Sequence, residues 1–137
     1  MWGDEESPLF EEPKRPEHLS PLALERAKEW ASLDTFDLLV KAEELTGRIV
    51  DLKKTSLGPR LWGFIFHEPE GLHSRIFINT DLPELWQRFA LYHELHHLLY
   101  DSTQGVGVYE HSLENVRRFE VVADDFAWAV IDLQEAL

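Results

Sequence analysis

His93, Glu94, Leu95, His96 and His97 form a His-Glu-x-x-His pattern, the densest concentration of chemically versatile side chains in the sequence. On an α-helix, positions i and i+4 lie one turn apart on the same face, so the imidazoles of His93 and His97 can reach one metal ion together. Glu94 points about 100° round the helix from His93. That offset suits a carboxylate that leaves the metal alone and takes a proton from metal-activated water. A catalytic zinc has, as a rule, three protein ligands plus a water, so a third donor must come from another element. Glu120 answers that need, because it interrupts an apolar stripe of Leu113, Val116, Ala123, Ala127 and Ile131. An ionised carboxylate in such surroundings is costly unless it meets a cation or a metal. Asp124 follows one turn later on the same face and is placed to orient a ligand histidine through its other ring nitrogen. Tyr109 and His111, between the two helices, are candidates for a hydrogen bond to a developing oxyanion, the plainer alternative being ordinary loop residues.

Several elements must position these groups. Residues 1–19 carry three of the seven prolines and six acidic against two basic residues, which reads as a flexible or surface-draped arm. Residues 20–137 are expected to form a single domain. Ser20-Pro21 signals a helix over about residues 21–32, and Asp34 or Thr35 caps a second that stops at Gly47. The period then becomes extended: residues 49–52, 61–66 and 74–79 are predicted strands, the last two joined as a hairpin across residues 67–73. Asp81-Leu82-Pro83-Glu84 signals the next helix, with Asp81 as its cap and Tyr100 near its end. That helix is apolar nearly all round, as a buried helix is. A loop with Gly105 and Gly107 leads to a last helix over about residues 112–136. The expected fold is α+β, a small three-stranded sheet packed on helices around a buried active-site helix. Trp62, Phe64, Phe66, Phe77 and Trp86 read as core, Tyr92 and Tyr100 as core aromatics with wet hydroxyls, and His67 and His73 as exposed.

Composition narrows the chemistry further. At 137 residues and 44% hydrophobic, the chain is long enough for one packed core. It has no cysteine, so any metal must be held by His, Asp or Glu. No apolar run reaches the roughly 20 residues a membrane span needs, and the first residues lack a basic signal start, so no membrane association and a cytoplasmic location are expected. A formal charge of −13 opposes direct nucleic-acid binding and favours a basic protein partner, the plainer alternative being that it only keeps a small protein soluble.

The segment from Ser74-Arg75-Ile76-Phe77-Ile78-Asn79 through Arg88-Phe89-Ala90-Leu91-Tyr92-His93-Glu94-Leu95-His96-His97-Leu98-Leu99 resembles the ImmA/IrrE family of metallo-endopeptidases, in which a strand ending in Asn precedes the His-Glu-x-x-His helix. Glu120-Val121-Val122-Ala123-Asp124-Asp125-Phe126-Ala127 is similar to that family's second signature, Glu-x-x-Ala-Asn-x-Phe-Ala. The resemblance spans about residues 35–131. It implies a minimal zincin-like domain with Zn2+, or alternatively Mn2+, held by His93, His97 and Glu120, and Glu94 as general base. It also implies a substrate, a helix-turn-helix repressor of a phage or mobile element. Two positions depart from the family pattern. His96 stands where glycine is common and can block or widen the cleft. Asp124 stands where asparagine is common and keeps the hydrogen-bonding role. One rival reading keeps the metal but makes the protein a stoichiometric antitoxin or antirepressor. Another makes it a metal-free acidic protein with core histidines.

Overall fold

The computed structural model describes residues 12–59, 61–68, 71–101 and 113–136, with side chains in the last segment from Glu120 onward. Among them are four α-helices and a three-stranded mixed sheet, the α+β architecture the sequence predicts. Helix α1 spans Pro21–Lys28, with Ser20 Oγ accepting the Ala23 N–H and proline in the first turn. Helix α2 spans Thr35–Thr46, capped by Asp34 and ended by Gly47 at φ 72°, a left-handed position that glycine takes without a steric penalty. Strand β1 (Ile49–Thr55) follows, then β2 (Gly63–His67) and β3 (His73–Asn79). Helix α3 spans Glu84–His96 and passes into one π-helical turn, His97–Asp101. Helix α4 spans Leu113–Ala136.

The sheet order is β1-β3-β2, with β3 parallel to β1 and antiparallel to β2. Strand alternation sends Val50, Ser74, Ile76 and Ile78 inward, where they are buried. Phe64 pairs with Phe77 on the outer face, their rings stacked at 4.7 Å. Phe64 and Phe66 are therefore exposed, against the expectation that both are core. Phe64 and Phe66 stand two residues apart and so share the outer face, while Ile65 between them packs against the core. Gly63 is required by close approach: a Cβ there would lie 2.5 Å from the Phe77 carbonyl oxygen.

The core lies between this sheet and the helices. Trp30, Leu38, Phe89, Leu95, Leu98, Phe126 and Ile131 are fully enclosed. Gln134 of α4 ties helices together, donating to Tyr92 Oη at 2.6 Å and accepting from Arg88. The Tyr92 hydroxyl is thus held by a side chain where the sequence suggested water. Helix α1 is shorter than predicted, because its last turn tightens: the Trp30 N–H reaches back to the Ala27 carbonyl. Asp81 does not cap α3. Pro83 holds the N-cap position with no side-chain cap bond, and Asp81 accepts from Ser56 Oγ at 2.8 Å instead. His67 and His73, expected to be exposed, are part-buried: His67 meets Ser74 Oγ at 2.7 Å, and His73 meets Asp51 at 2.5 Å.

Asn79 anchors the loop that leads into β2. It is fully buried, and its amide uses both donors and two acceptor sites. It donates to the Gly58 and Leu61 carbonyls, each at 2.7 Å, and accepts from the Leu57 and Asp81 N–H groups. That loop ends at Trp62, which packs edge-on against Trp86 and Phe89 of α3. Asn79→Ala is expected to destabilise the protein by about 2–4 kcal/mol, since it leaves several inward-facing backbone groups without partners. Urea unfolding with an unchanged m-value would report it. A loss below about 0.5 kcal/mol would show that the loop is held by other contacts.

Of the predicted arm, residues 1–11 lie outside the described residues. In residues 12–19, Arg15 pairs with Asp132 and stands 5.4 Å over the Trp128 ring. No helix among the described residues is long and apolar enough to cross a membrane.

Candidate metal centre

The site is built where the end of α3 meets α4. Phe89 and Leu95 bury the flanks of α3, which leaves the face carrying His93 and His97 turned toward α4. Their imidazoles lie 4.7 Å apart between ring centres, one helical turn from each other. Ala123, Ala127 and Ile131 bury the inner face of α4, and Glu120 and Asp124 stand on the edge of that face nearest α3.

The nitrogens and oxygens converge. His93 Nε2 and His97 Nε2 are 3.1 Å apart. Glu120 Oε1 lies 2.7 Å from His93 Nε2, and its Oε2 lies 3.3 Å from His97 Nε2. One ligand atom from each of the three residues fits within 4.8 Å of the others. Two imidazoles and a carboxylate directed at one point match the donor set of a catalytic zinc site. On the far side of the ring, His93 Nδ1–H donates to Asp124 Oδ1 at 2.7 Å. That bond takes the Nδ1 proton, so the imidazole, once neutral, presents Nε2 as its ligand atom, the role expected of Asp124.

Glu120 is not trapped in the core, as its apolar stripe suggests: its side chain is 49% exposed. It stands at the rim of the apolar stripe, one residue before exposed Val121. The pairing with His93 and His97, and not burial, accounts for its position. His96 is also corrected. It is 1% exposed, and its ring faces Arg26, Tyr100 and Phe126, so it neither blocks nor widens a cleft. Adjacent residues on a helix differ by about 100°, which carries His96 away from the face shared by His93 and His97. Tyr109 and His111 lie outside the described residues.

Electrostatics couple these groups. Burial pulls the His93 imidazole down, but hydrogen bonds to Asp124 and Glu120 and the charges of Glu94 and Glu120 outweigh it and raise its pKa to about 10. Burial pushes the Glu120 carboxyl up, but bonds to His93 and His97 and their charges hold it well below the usual carboxylate range. Burial likewise raises Glu94, with His93 and His97 opposing. A carboxyl with its proton affinity raised, beside two imidazoles, is suited to accepting and returning a proton.

The first two shifts are the two ends of one ion pair, so their effect on stability is counted once. A raised histidine stabilises fully below its unfolded value of 6.5, and the benefit is lost as the pH climbs through about 10. A lowered carboxylate stabilises above its unfolded value of 4.5, and the benefit is lost on further acidification. The metal-free protein is therefore expected to lose this contribution between pH 6.5 and about 10. A metal ion needs the unprotonated imidazole, so zinc binding at neutral pH is expected to release about one proton. Calorimetry in buffers of different ionisation enthalpy measures that number, and a value near zero would contradict the ion pair described above.

A family model described as Peptidase_M78, the IrrE N-terminal-like domain, matches residues 42–131, from the middle of α2 to the buried part of α4. No curated protein and no solved structure matches the chain.

Proposed function

This chain belongs to the Peptidase_M78 family, that of the IrrE N-terminal-like domain, and we propose that it is a zinc-dependent endopeptidase cleaving a helix-turn-helix transcriptional repressor. The observation that carries the proposal is the convergence of His93, His97 and Glu120 beside Glu94 in a metallopeptidase domain. His93, His97 and Glu120 would hold the metal. Bound zinc supplies a lowered water pKa and polarises a carbonyl oxygen. Glu94 takes the proton of the attacking water and passes it to the leaving amine, a task to which its raised carboxyl pKa is matched. Asp124 keeps the His93 ring in place while charge shifts around it.

The substrate side of the proposal rests on chemistry. Among the described residues, strand β2 pairs with β3 alone, so one of its edges carries no strand there. An extended peptide laid on an open edge gains main-chain hydrogen bonds independent of its sequence, which suits cleavage of a flexible segment. The formal charge of −13 favours encounter with a basic, DNA-binding target. The test is incubation of zinc-loaded protein with repressors encoded beside its gene, followed by mass spectrometry. Discrete fragments, abolished by chelator and restored by zinc, are expected. Intact repressor under all conditions, although zinc is bound, would overturn the proposal.

A further inference from the structure

The family-matched segment begins at Ala42, so α1 lies outside it. One side chain of α1 nevertheless reaches the active-site helix. Arg26 Nη1 lies 2.8 Å from His96 Nε2. An arginine is always protonated, so it donates this bond and the imidazole nitrogen accepts. The same guanidinium stands over Tyr100, with its carbon 3.8 Å from the ring centre. His96 and Tyr100 are themselves in ring contact at 4.7 Å, and the Phe126 ring of α4 lies 5.1 Å from that of His96.

The position of these contacts along the chain matters. His96 is the last residue of α3, Tyr100 belongs to the π-helical turn, and His97 is the junction between the two. The His97 N–H is shared between the Glu94 and His93 carbonyls, as the wider turn begins. A π turn is an uncommon, locally costly geometry that needs support from its surroundings. Arg26 grips both sides of that junction at once.

We propose that Arg26 is a positioning residue for the metal centre: by bridging His96 and Tyr100 it holds the π-helical junction that aims His97, so that α1, an element outside the family-matched segment, sets metal affinity. The proposal rests on the reading of His93, His97 and Glu120 as metal ligands. It also gives a role to the histidine that stands where glycine is common in the family. The imidazole is the acceptor through which α1 reaches α3.

The test is a double-mutant cycle on zinc affinity, measured by competition with a chromophoric chelator, using Arg26→Ala, His96→Ala and the double variant. Each single change is expected to weaken zinc binding about tenfold, in the range seen when groups supporting a ligand are removed. The double variant is expected to be no weaker than about the same tenfold, because the two side chains act as one unit. Arg26→Lys keeps a charge over the Tyr100 ring and a donor for His96. It is expected to stay within about threefold of the wild type, and it carries the test should Arg26→Ala fail to fold. Zinc affinity unchanged in Arg26→Ala, losses that multiply in the double variant, or an Arg26→Lys protein as weak as Arg26→Ala would each overturn the proposal while leaving the metal site intact. Wild-type protein that takes up no stoichiometric zinc would instead overturn the ligand assignment, and this proposal with it.

Discussion

Glu94→Gln is expected to lower the rate of repressor cleavage by about 10²–10⁴-fold, the range typical of a lost general acid–base group, while the protein still binds one zinc. Glutamine keeps the shape and most of the packing of glutamate but cannot take up a proton at neutral pH. Glu94 is not among the three converging ligand residues, so the metal and the fold should both survive the change. The wild-type pH profile supplies a second readout. Burial raises the Glu94 carboxyl from 4.5, so the acid limb of kcat/KM is expected above that value and should vanish in the variant. Cleavage by Glu94→Gln at the wild-type rate would remove Glu94 from the mechanism. Equal relief of repression by both proteins, with no fragments, would favour the rival reading of a stoichiometric antirepressor.

Glu120→Ala separates the metal site from the stability of the fold. Zinc affinity is expected to fall by more than about 100-fold, since loss even of groups that only support a ligand costs about 10–100-fold. Folding stability of the metal-free protein should change little, by about 1 kcal/mol or less, because half-exposed ion pairs contribute little in water. The 49% exposure of the side chain also means that truncation opens no core cavity. Asp124→Ala is the graded comparison: it removes the acceptor for His93 Nδ1–H but no ligand, so its zinc affinity should lie between wild type and Glu120→Ala. Competition with a chromophoric chelator and urea unfolding measure the two quantities on the same samples. Undiminished zinc binding in Glu120→Ala would assign the third ligand elsewhere, whereas collapse of the metal-free fold would restore the view of Glu120 as a core residue.

Signals written within a few residues of each other suffice to set the local structure. Ser20-Pro21, Asp34 and Gly47 bound their helices because capping and left-handed backbone are properties of those residues and their immediate neighbours. The change of period near residue 48 marked the start of the sheet, and the hairpin followed from its turn residues. Where one local signal met a tertiary contact, the contact won. Asp81 has the chemistry of a cap, but Ser56, just after β1, claims it. Phe64 and Phe66 have the composition of core, but alternation along β2 puts both outside.

The metal site divides along the same line. By itself, the sequence determined His93, Glu94 and His97 as a unit, because an i, i+4 pair on a helix is fixed by helical geometry alone. It also picked out Glu120 and Asp124, on a premise of burial that the fold does not bear out. Only the tertiary structure decided how these residues meet. The packing of α4 on α3 brings Glu120 within 2.7 Å of His93 and gives Asp124 the other ring nitrogen. It likewise decided the place of His96, which adjacency in sequence assigned to the cleft and a 100° turn of the helix gives to Arg26. Contacts between residues 31 or 70 positions apart depend on how whole elements pack, and no local pattern in the chain encodes them.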